Sequence, residues 1–300
     1  MEPAEGPTEP RTGNLPVGRL SMNQITTYRW TMPEDVNGYQ DAGIPAIGLW
    51  RQKLTDFGEE RAVDLVLEAG MSVSSLSYAG GFTGSFGLSY DEAVEETRDA
   101  LDLGSSVGAE CVVVVSGARG MHTANHSRRL FVEALKSLAD HAESKNIDLA
   151  VLPMHPIYAR QWTWLSTLDE TLEILDLCNH PRVRLAFDAY HLGTEDDLLD
   201  RIPQIAPLTS VVRISDRREV PRSYNERQLP SDGNLPLGDI LRAFNQHGYR
   251  GFCEVEIWSD EVWAGDYASM LEGCRDRFRR LTNAERASDA AGMLSGRSSA

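Results

Sequence analysis

At 300 residues, with 41% hydrophobic and 25% charged positions, the chain has the composition of a globular protein that buries a large core. Forty-five acidic residues against 29 basic ones leave a formal charge of −16 spread along the chain. Such a surface repels phosphate backbones and anionic lipid, so neither nucleic acid nor a membrane is an expected partner. No window approaches the ~18 continuous apolar residues of a membrane span, and the opening MEPAEGPTEPRTG is acidic and Pro/Gly-rich rather than signal-like. The four cysteines stand far apart without a CxxC pair, and a cytoplasmic protein with free thiols is expected.

Residues 1–18 read as a flexible N-terminal segment. From there short apolar runs alternate with amphipathic stretches, the pattern of parallel strands joined by crossover helices. The first predicted strand is Ser21–Tyr28, followed by a helix that opens on the capping box TMPE at Thr31–Glu34. Strands follow at Pro45–Trp50 and Met71–Tyr78, then a helix from the second capping box, SYDE at Ser89–Glu92. Further strands are predicted at Glu110–Gly117 and Ile147–Leu152, a helix start at the near-variant STLD of Ser166–Asp169, and strands at Arg182–Phe187, Ser210–Ser215 and Phe252–Ile257. Eight strands and eight helices without a linker predict a single α/β domain over residues 19–283, a (β/α)₈ TIM barrel. A doubly wound sheet is the alternative, but ITTYRWTMPED after the first strand lacks its glycine-rich phosphate loop. Residues 284–300 read as a flexible tail.

A barrel of this kind builds its site from the C-terminal ends of its strands. Those ends carry a polar set: Asn23 and Thr27, Trp50 with Arg51 and Lys53, Tyr78, Ser116 and Arg119, His155 and Tyr158, Asp188 and His191, Arg213 and Asp216, and finally Glu254, Glu256 and Trp258. Asp188 follows VRLAF, where a carboxylate either points into the barrel mouth or caps the next turn. Alternation in FCEVEIW puts Glu254 and Glu256 on one interior face. Two buried carboxylates require a cation, a metal or a proton, and Arg213 on the neighbouring strand is the candidate cation. His155, held between two prolines in LPMHPIY, suits acid/base work or a hydrogen bond to a hydroxyl. Trp50 and Trp258 could wall a carbohydrate pocket or merely cover the barrel top.

Together MNQITTYRW, AIGLWRQKL, SSLSYAGGFTG, PMHPIY, RVRLAFDAYH, RISD and GNLPLGDILRAFNQHGYRGFCEVEIWSDEVW make the chain resemble the sugar phosphate isomerase/epimerase family of xylose isomerase-like barrels, over about Ser21 to Leu281. The resemblance implies one divalent ion, Mn²⁺ or Mg²⁺, held by glutamate, aspartate, histidine and glutamate on strands five to eight, with the two glutamates moving a proton beside a carbonyl. Asp188 and Glu256 match the strand-six and strand-eight ligands, and His191 matches a substrate-contacting histidine. The other two positions hold Leu152 and Arg213. Leucine offers no lone pair and arginine brings a permanent charge, so the family's ion is not expected and Arg213 is expected to neutralise Asp188 and Glu256 in its place. A rebuilt site from His155, His191, Asp188 and Glu256, suited to Zn²⁺ or Mn²⁺, is the alternative. The three-zinc nucleic-acid branch of the fold fits poorly, since five of the seven histidines lie away from the matched strand ends.

Two functions follow. One is an isomerase, epimerase or lyase acting on a sugar, polyol or related hydroxy-carbonyl compound, with Glu256, His155 and Arg213 as catalytic groups and His191, Trp50, Arg51, Glu254 and Trp258 around the substrate. The other is a non-catalytic relative that binds a small ligand or partners an active enzyme, which the loss of glutamate at Leu152 favours. A homodimer is the form common among relatives.

Overall fold

The computed structural model describes residues 16–283. Eight parallel strands close into a barrel in sequence order: β1 (Leu20–Asn23), β2 (Ala46–Trp50), β3 (Ser72–Gly80), β4 (Cys111–Val115), β5 (Asp148–Val151), β6 (Val183–Asp188), β7 (Thr209–Ile214) and β8 (Cys253–Val255). The ring shuts where Ser21 of β1 pairs with Glu254 of β8. Among the described residues there are eleven α-helices. They are α1 (Met32–Asp41), α2 (Arg51–Phe57), α3 (Glu59–Ala69), α4 (Tyr90–Ser106), α5 (Ala124–Ser144), α6 (Leu168–Cys178), α7 (Ala189–Leu192), α8 (Leu198–Ile205), α9 (Leu237–Gln246), α10 (Asp260–Ala264) and α11 (Tyr267–Asn283). The short α2, α7 and α10 lie at or just beyond the C-terminal ends of β2, β6 and β8, and the longer helices form the outer ring.

Several helices begin where side chains satisfy their first N–H groups. Both predicted capping boxes form, Thr31 with Glu34 and Ser89 with Glu92. The third is shifted by one residue, since Thr167 rather than Ser166 caps α6, with Glu170 completing the box. Helix α9 shows how the ring packs: Leu237, Ile240, Leu241 and Phe244 recur at helical spacing and are all buried. Phe244 meets Phe187 of β6 with ring centroids 4.8 Å apart. Each such burial stabilises by roughly 1.5–3 kcal/mol.

Strand β1 stops at Asn23, short of the predicted Tyr28. The chain then turns back, because the Thr26 hydroxyl bonds to Val255 O and Ile257 N of the last strand region. Thr27 joins a buried network in which Asp35 of α1 accepts from its hydroxyl at 2.6 Å, from Gln24 at 2.9 Å and from the Lys53 ammonium at 2.7 Å. Of the N-terminal segment read as flexible, Val17 and Gly18 belong to a 3₁₀ turn with Arg19. The rest of that segment up to residue 15, and residues 284–300, lie outside the described residues.

The barrel interior is divided. Cys111, Val113 and Val115 of β4, Ala150 of β5, Leu152 just beyond it, Ala186 of β6 and Val211 of β7 form one apolar cluster, topped by Met154, Tyr158 and Tyr190. Ser21, Asn23, Ser74, Ser75, Arg213 and Glu254 fill the other half, all essentially inaccessible to solvent. The four cysteines are free and buried.

Candidate active site

Strand register sets the charged centre. Asp188 on β6 lies beside Arg213 on β7, which lies beside Glu254 on β8. None of the three side chains, nor that of Glu256 two residues beyond Glu254, is exposed.

Glu254 is the lower anchor. One oxygen accepts from Asn23 at 2.9 Å, the other from Ser74 and Ser75 at 2.6 and 2.7 Å, and Arg213 Nε stands 2.9 Å away. The backbone of Gly48 passes so close that a Cβ there would lie 2.4 Å from Glu254 Oε2, so that strand position requires glycine. With three protein hydrogen-bond donors and the Arg213 charge around it, Glu254 is inaccessible to solvent beneath Tyr78 and Glu256.

Arg213 rises from this anchor. Nη1 reaches Glu256 Oε2 at 2.5 Å and donates to the Tyr78 hydroxyl at 2.8 Å, while Nη2 donates to Ser77 at 2.6 Å. The guanidinium is fully buried, with Nη1 and Nη2 engaged by Tyr78, Ser75 and Ser77 and Nε turned towards Glu254. It also neutralises Glu254 and Glu256 rather than Asp188 and Glu256. The carboxylates beside it hold its proton even more firmly than usual, against the opposing effect of burial.

The cation that serves Asp188 comes from the loop after β7. Arg227 is pinned by its backbone N–H to Trp258 O, and Gln228 is paired with Asp216 in both directions. Its Nη1 donates to Asp188 Oδ2 at 2.9 Å and to Glu256 O at 3.3 Å, and lies 3.7 Å from Glu256 Oε1. Its Nη2 donates to His191 Nε2 at 2.9 Å, and its guanidinium stacks 4.5 Å over Tyr190. Asp188 performs both of the tasks open to it from sequence, since its other oxygen caps the following turn by accepting from Tyr190 N at 2.8 Å. His191 Nδ1 faces the backbone N–H of His155 at 3.2 Å. A neutral imidazole has one acceptor nitrogen and an imidazolium none, so a ring between two donors resists protonation. Burial and Arg227 accordingly push the His191 pKa well below its ordinary value.

Glu256 is the carboxylate that reaches Tyr78 of β3. Its Oε1 accepts from the Tyr78 hydroxyl at 2.6 Å and from Trp258 Nε1 at 3.0 Å. Tyr78 also borders a cavity of about 680 Å³ walled by Trp50, Phe86, Leu88 and Trp162, with Arg51 at its edge paired to Glu96 at 3.0 Å. This is the size of an ordinary small-molecule site. Burial raises the Tyr78 pKa well above that of a free phenol, with Glu256 adding to the rise and Arg213 opposing it, so the hydroxyl keeps its proton.

The structure thus brings Glu256, Arg213, Asp188, His191 and Trp258 together and places Trp50 and Arg51 on the cavity wall. His155 reaches His191 only through its backbone, its own Nδ1 accepting from Ile157 N. Arg227 was missed from sequence, and Tyr78 stood among the strand ends without a role. Charge counting could have found the arginine: three interior carboxylates against Arg213 alone leave two charges uncompensated.

The residues at the family's ligand positions do not fit a divalent ion. Leu152 is inaccessible within the apolar cluster, Arg213 places a guanidinium on Glu256, and Arg227 places a second one on Asp188 and His191. Among the described residues, the group of side chains that could share an ion is Asp140, Glu143 and His180, at the opposite end of the barrel.

With this geometry in view, comparison with known proteins is decisive for the family. Residues 38–283 match the family described as xylose isomerase-like TIM barrel. The chain belongs to that family. A solved structure from Sinorhizobium meliloti 1021, protein SMc04130, superposes with a TM-score of 0.83 at 28% identity, covering 89% of this chain and 99% of that one. The chain is also 21% identical over 262 residues to 3-dehydroshikimate dehydratase of Pseudomonas putida, which covers 84% of this chain and 39% of that protein. It is 21% identical over 193 residues to fructoselysine 3-epimerase of Escherichia coli O157:H7, covering 63% of this chain and 67% of that one. The chain therefore spans about two fifths of the dehydratase and two thirds of the epimerase. Among the described residues no helix is long and apolar enough to cross a membrane.

Proposed function

We propose that this barrel is a cytoplasmic enzyme that moves a proton next to the carbonyl of a sugar, polyol or related hydroxy-carbonyl compound, without a divalent metal. The observation that carries the reading is the Tyr78–Glu256 contact of 2.6 Å at the edge of an aromatic-walled cavity of about 680 Å³. Glu256 is the base, and Tyr78, the group that touches both the buried charges and the cavity, relays the proton between them. Arg213 holds the pair in place and disperses the negative charge of the carboxylate. The ligand stacks between Trp50 and Trp162, with Arg51 at its polar end.

Leu152 is sealed in the apolar cluster on which Tyr78 and Trp162 pack, so this position supplies no second base for the other face of the carbon. One-base chemistry, an enolisation returned to the same face or an elimination of water, suits the site better than epimerisation by two bases. The dehydratase among the relatives supports this class of reaction, and the epimerase supports the hydroxy-carbonyl substrate.

Solvent-deuterium exchange into a panel of ketoses, inososes and cyclic hydroxy-ketones tests the reading. Exchange by the wild-type protein should fall by about 10²–10⁴-fold in Glu256→Gln, and to a smaller degree in Tyr78→Phe. A second reading, a ligand-binding relative without catalysis, is favoured by the closure of Asp188, His191 and Glu256 beneath Arg227. Ligand binding without exchange across the panel would establish that reading instead.

A further inference from the structure

A second cavity, of about 250 Å³, lies in the loop between β7 and α9 and is lined by Tyr190, Arg217, Arg218 and Arg222 together with Glu219 and Glu226. It is separate from the aromatic cavity, with which it shares no residue. Its volume is below the ~300 Å³ at which ordinary small-molecule sites begin, so it suits an ion rather than a whole substrate.

Arg217 is the unusual member. Only 8% of it is exposed, yet no carboxylate among the described residues comes within ion-pairing distance of its guanidinium. Nη2 donates to the Thr194 hydroxyl, and Nη1 has no partner. Each nearby acid is committed elsewhere. Asp216 accepts three backbone N–H groups, from Arg217, Ser231 and Leu235. Glu226 accepts the N–H groups of Arg222 and Ser223, and Glu219 pairs with Arg222 at 2.7 Å. Asp188 is held by Arg227. Arg218 spends one N–H on Asp232 O and likewise lacks a carboxylate partner among the described residues. In a chain of charge −16, a buried guanidinium with both N–H groups of Nη1 unspent is an expensive arrangement unless a counter-ion completes it.

We propose that this cavity binds a small oxyanion, a phosphate or a carboxylate, on the planar fork of Arg217, with Arg218 and Arg222 at its rim. Guanidinium geometry matches either group through paired N–H donors. The site stands on residues outside the Glu256–Tyr78 pair and survives whether or not that pair is catalytic.

Titration calorimetry with inorganic phosphate and, separately, acetate, at constant ionic strength set by chloride, reads it directly. One saturable site per chain is expected for at least one of the two, and which one names the source of the oxyanion. Arg217→Met should weaken that binding at least tenfold with an unchanged circular dichroism spectrum, and Arg218→Gln severalfold. Absence of saturable binding by both anions, or an Arg217→Met protein that binds as tightly as wild type, overturns the proposal. If Arg217→Met does not fold, an unchanged affinity in the rim variant Arg218→Gln overturns it instead.

Discussion

Replacing Arg213 with methionine removes a buried cation while keeping most of its length, so the effect reads charge compensation more than lost volume. In the wild type its guanidinium lies 2.9 Å from Glu254 and 2.5 Å from Glu256, with all three side chains inaccessible to water. Glu254 would keep Asn23, Ser74 and Ser75, and Glu256 would keep Tyr78 and Trp258. Hydrogen bonding to the carboxylates therefore survives, and what is lost is the nearest positive charge. Breaking a buried pair by removing one partner costs about 3–5 kcal/mol. For a chain of this size that corresponds to a fall in Tm on the order of 6–15 °C. Urea unfolding and calorimetry of Arg213→Met and Glu254→Gln, separately and together, would measure it. The double variant should be less destabilised than the two single effects added, by about 1–3 kcal/mol. An Arg213→Met protein within about 1 kcal/mol of wild type, or strict additivity, would refute the reading of Arg213 as the internal counter-ion, since ~1 kcal/mol is what a surface pair contributes.

His191 should make stability fall with acid. It is held neutral well below its ordinary ~6.5 by burial and by Arg227, whereas the unfolded chain takes up a proton near ~6.5. The unfolded state then binds more protons as pH drops, so the contribution is fully present above ~6.5 and is lost below it at up to ~1.4 kcal/mol per pH unit. Urea midpoints from pH 7 to 5 should fall more steeply for wild type than for His191→Gln, and parallel curves would contradict the assignment. Gly48→Ala should cost about 1–3 kcal/mol through overpacking, because the added methyl meets Glu254 Oε2 at 2.4 Å and Asn23 Nδ2 at 2.8 Å. Gly18→Ala, with nothing within 4 Å of the new carbon, is the control in the same thermal melt, and equal effects at the two positions would remove the packing explanation.

The eight strands were legible because parallel strands covered on both faces appear as continuous apolar runs, as CVVVV of β4 does. The end of β1 was not, because ITTY has strand-like composition and only the tertiary bonds of Thr26 and Thr27 bend it away. Asp188, His191 and Glu256 could be placed at one end of the barrel from their strands alone. The partner of each carboxylate could not, since register sets Asp188 next to Arg213 while the guanidinium leans to β8 and β3, towards Glu254, Glu256 and Tyr78. Arg227 stands 14 residues beyond Arg213, in a loop whose path no periodicity describes. The backbone ties of Asn225 to Asp260, of Arg227 to Trp258 and of Gln228 to Asp216 carry it back over the strand ends.

The division of the interior limits what the site can do. The three carboxylates of the charged centre are on β6 or at β8, its two guanidiniums come from β7 and the loop after it, and the aromatic-walled cavity opens beside Tyr78 of β3. Across the barrel, the β4–β6 wall offers valine, alanine and leucine. A ligand in the cavity meets the Tyr78 hydroxyl, behind which Glu256 lies, among the walls of Trp50, Phe86, Leu88 and Trp162, and of these residues Tyr78 and Trp162 cover the apolar cluster. On the proposed reading the proton leaves towards Tyr78 and Glu256, and Leu152, sealed in the apolar cluster, supplies no second base. On that reading the leucine at position 152, where the resemblance implies glutamate, bears on stereochemistry as much as on metal binding, because it removes one of the two bases that the resemblance implies.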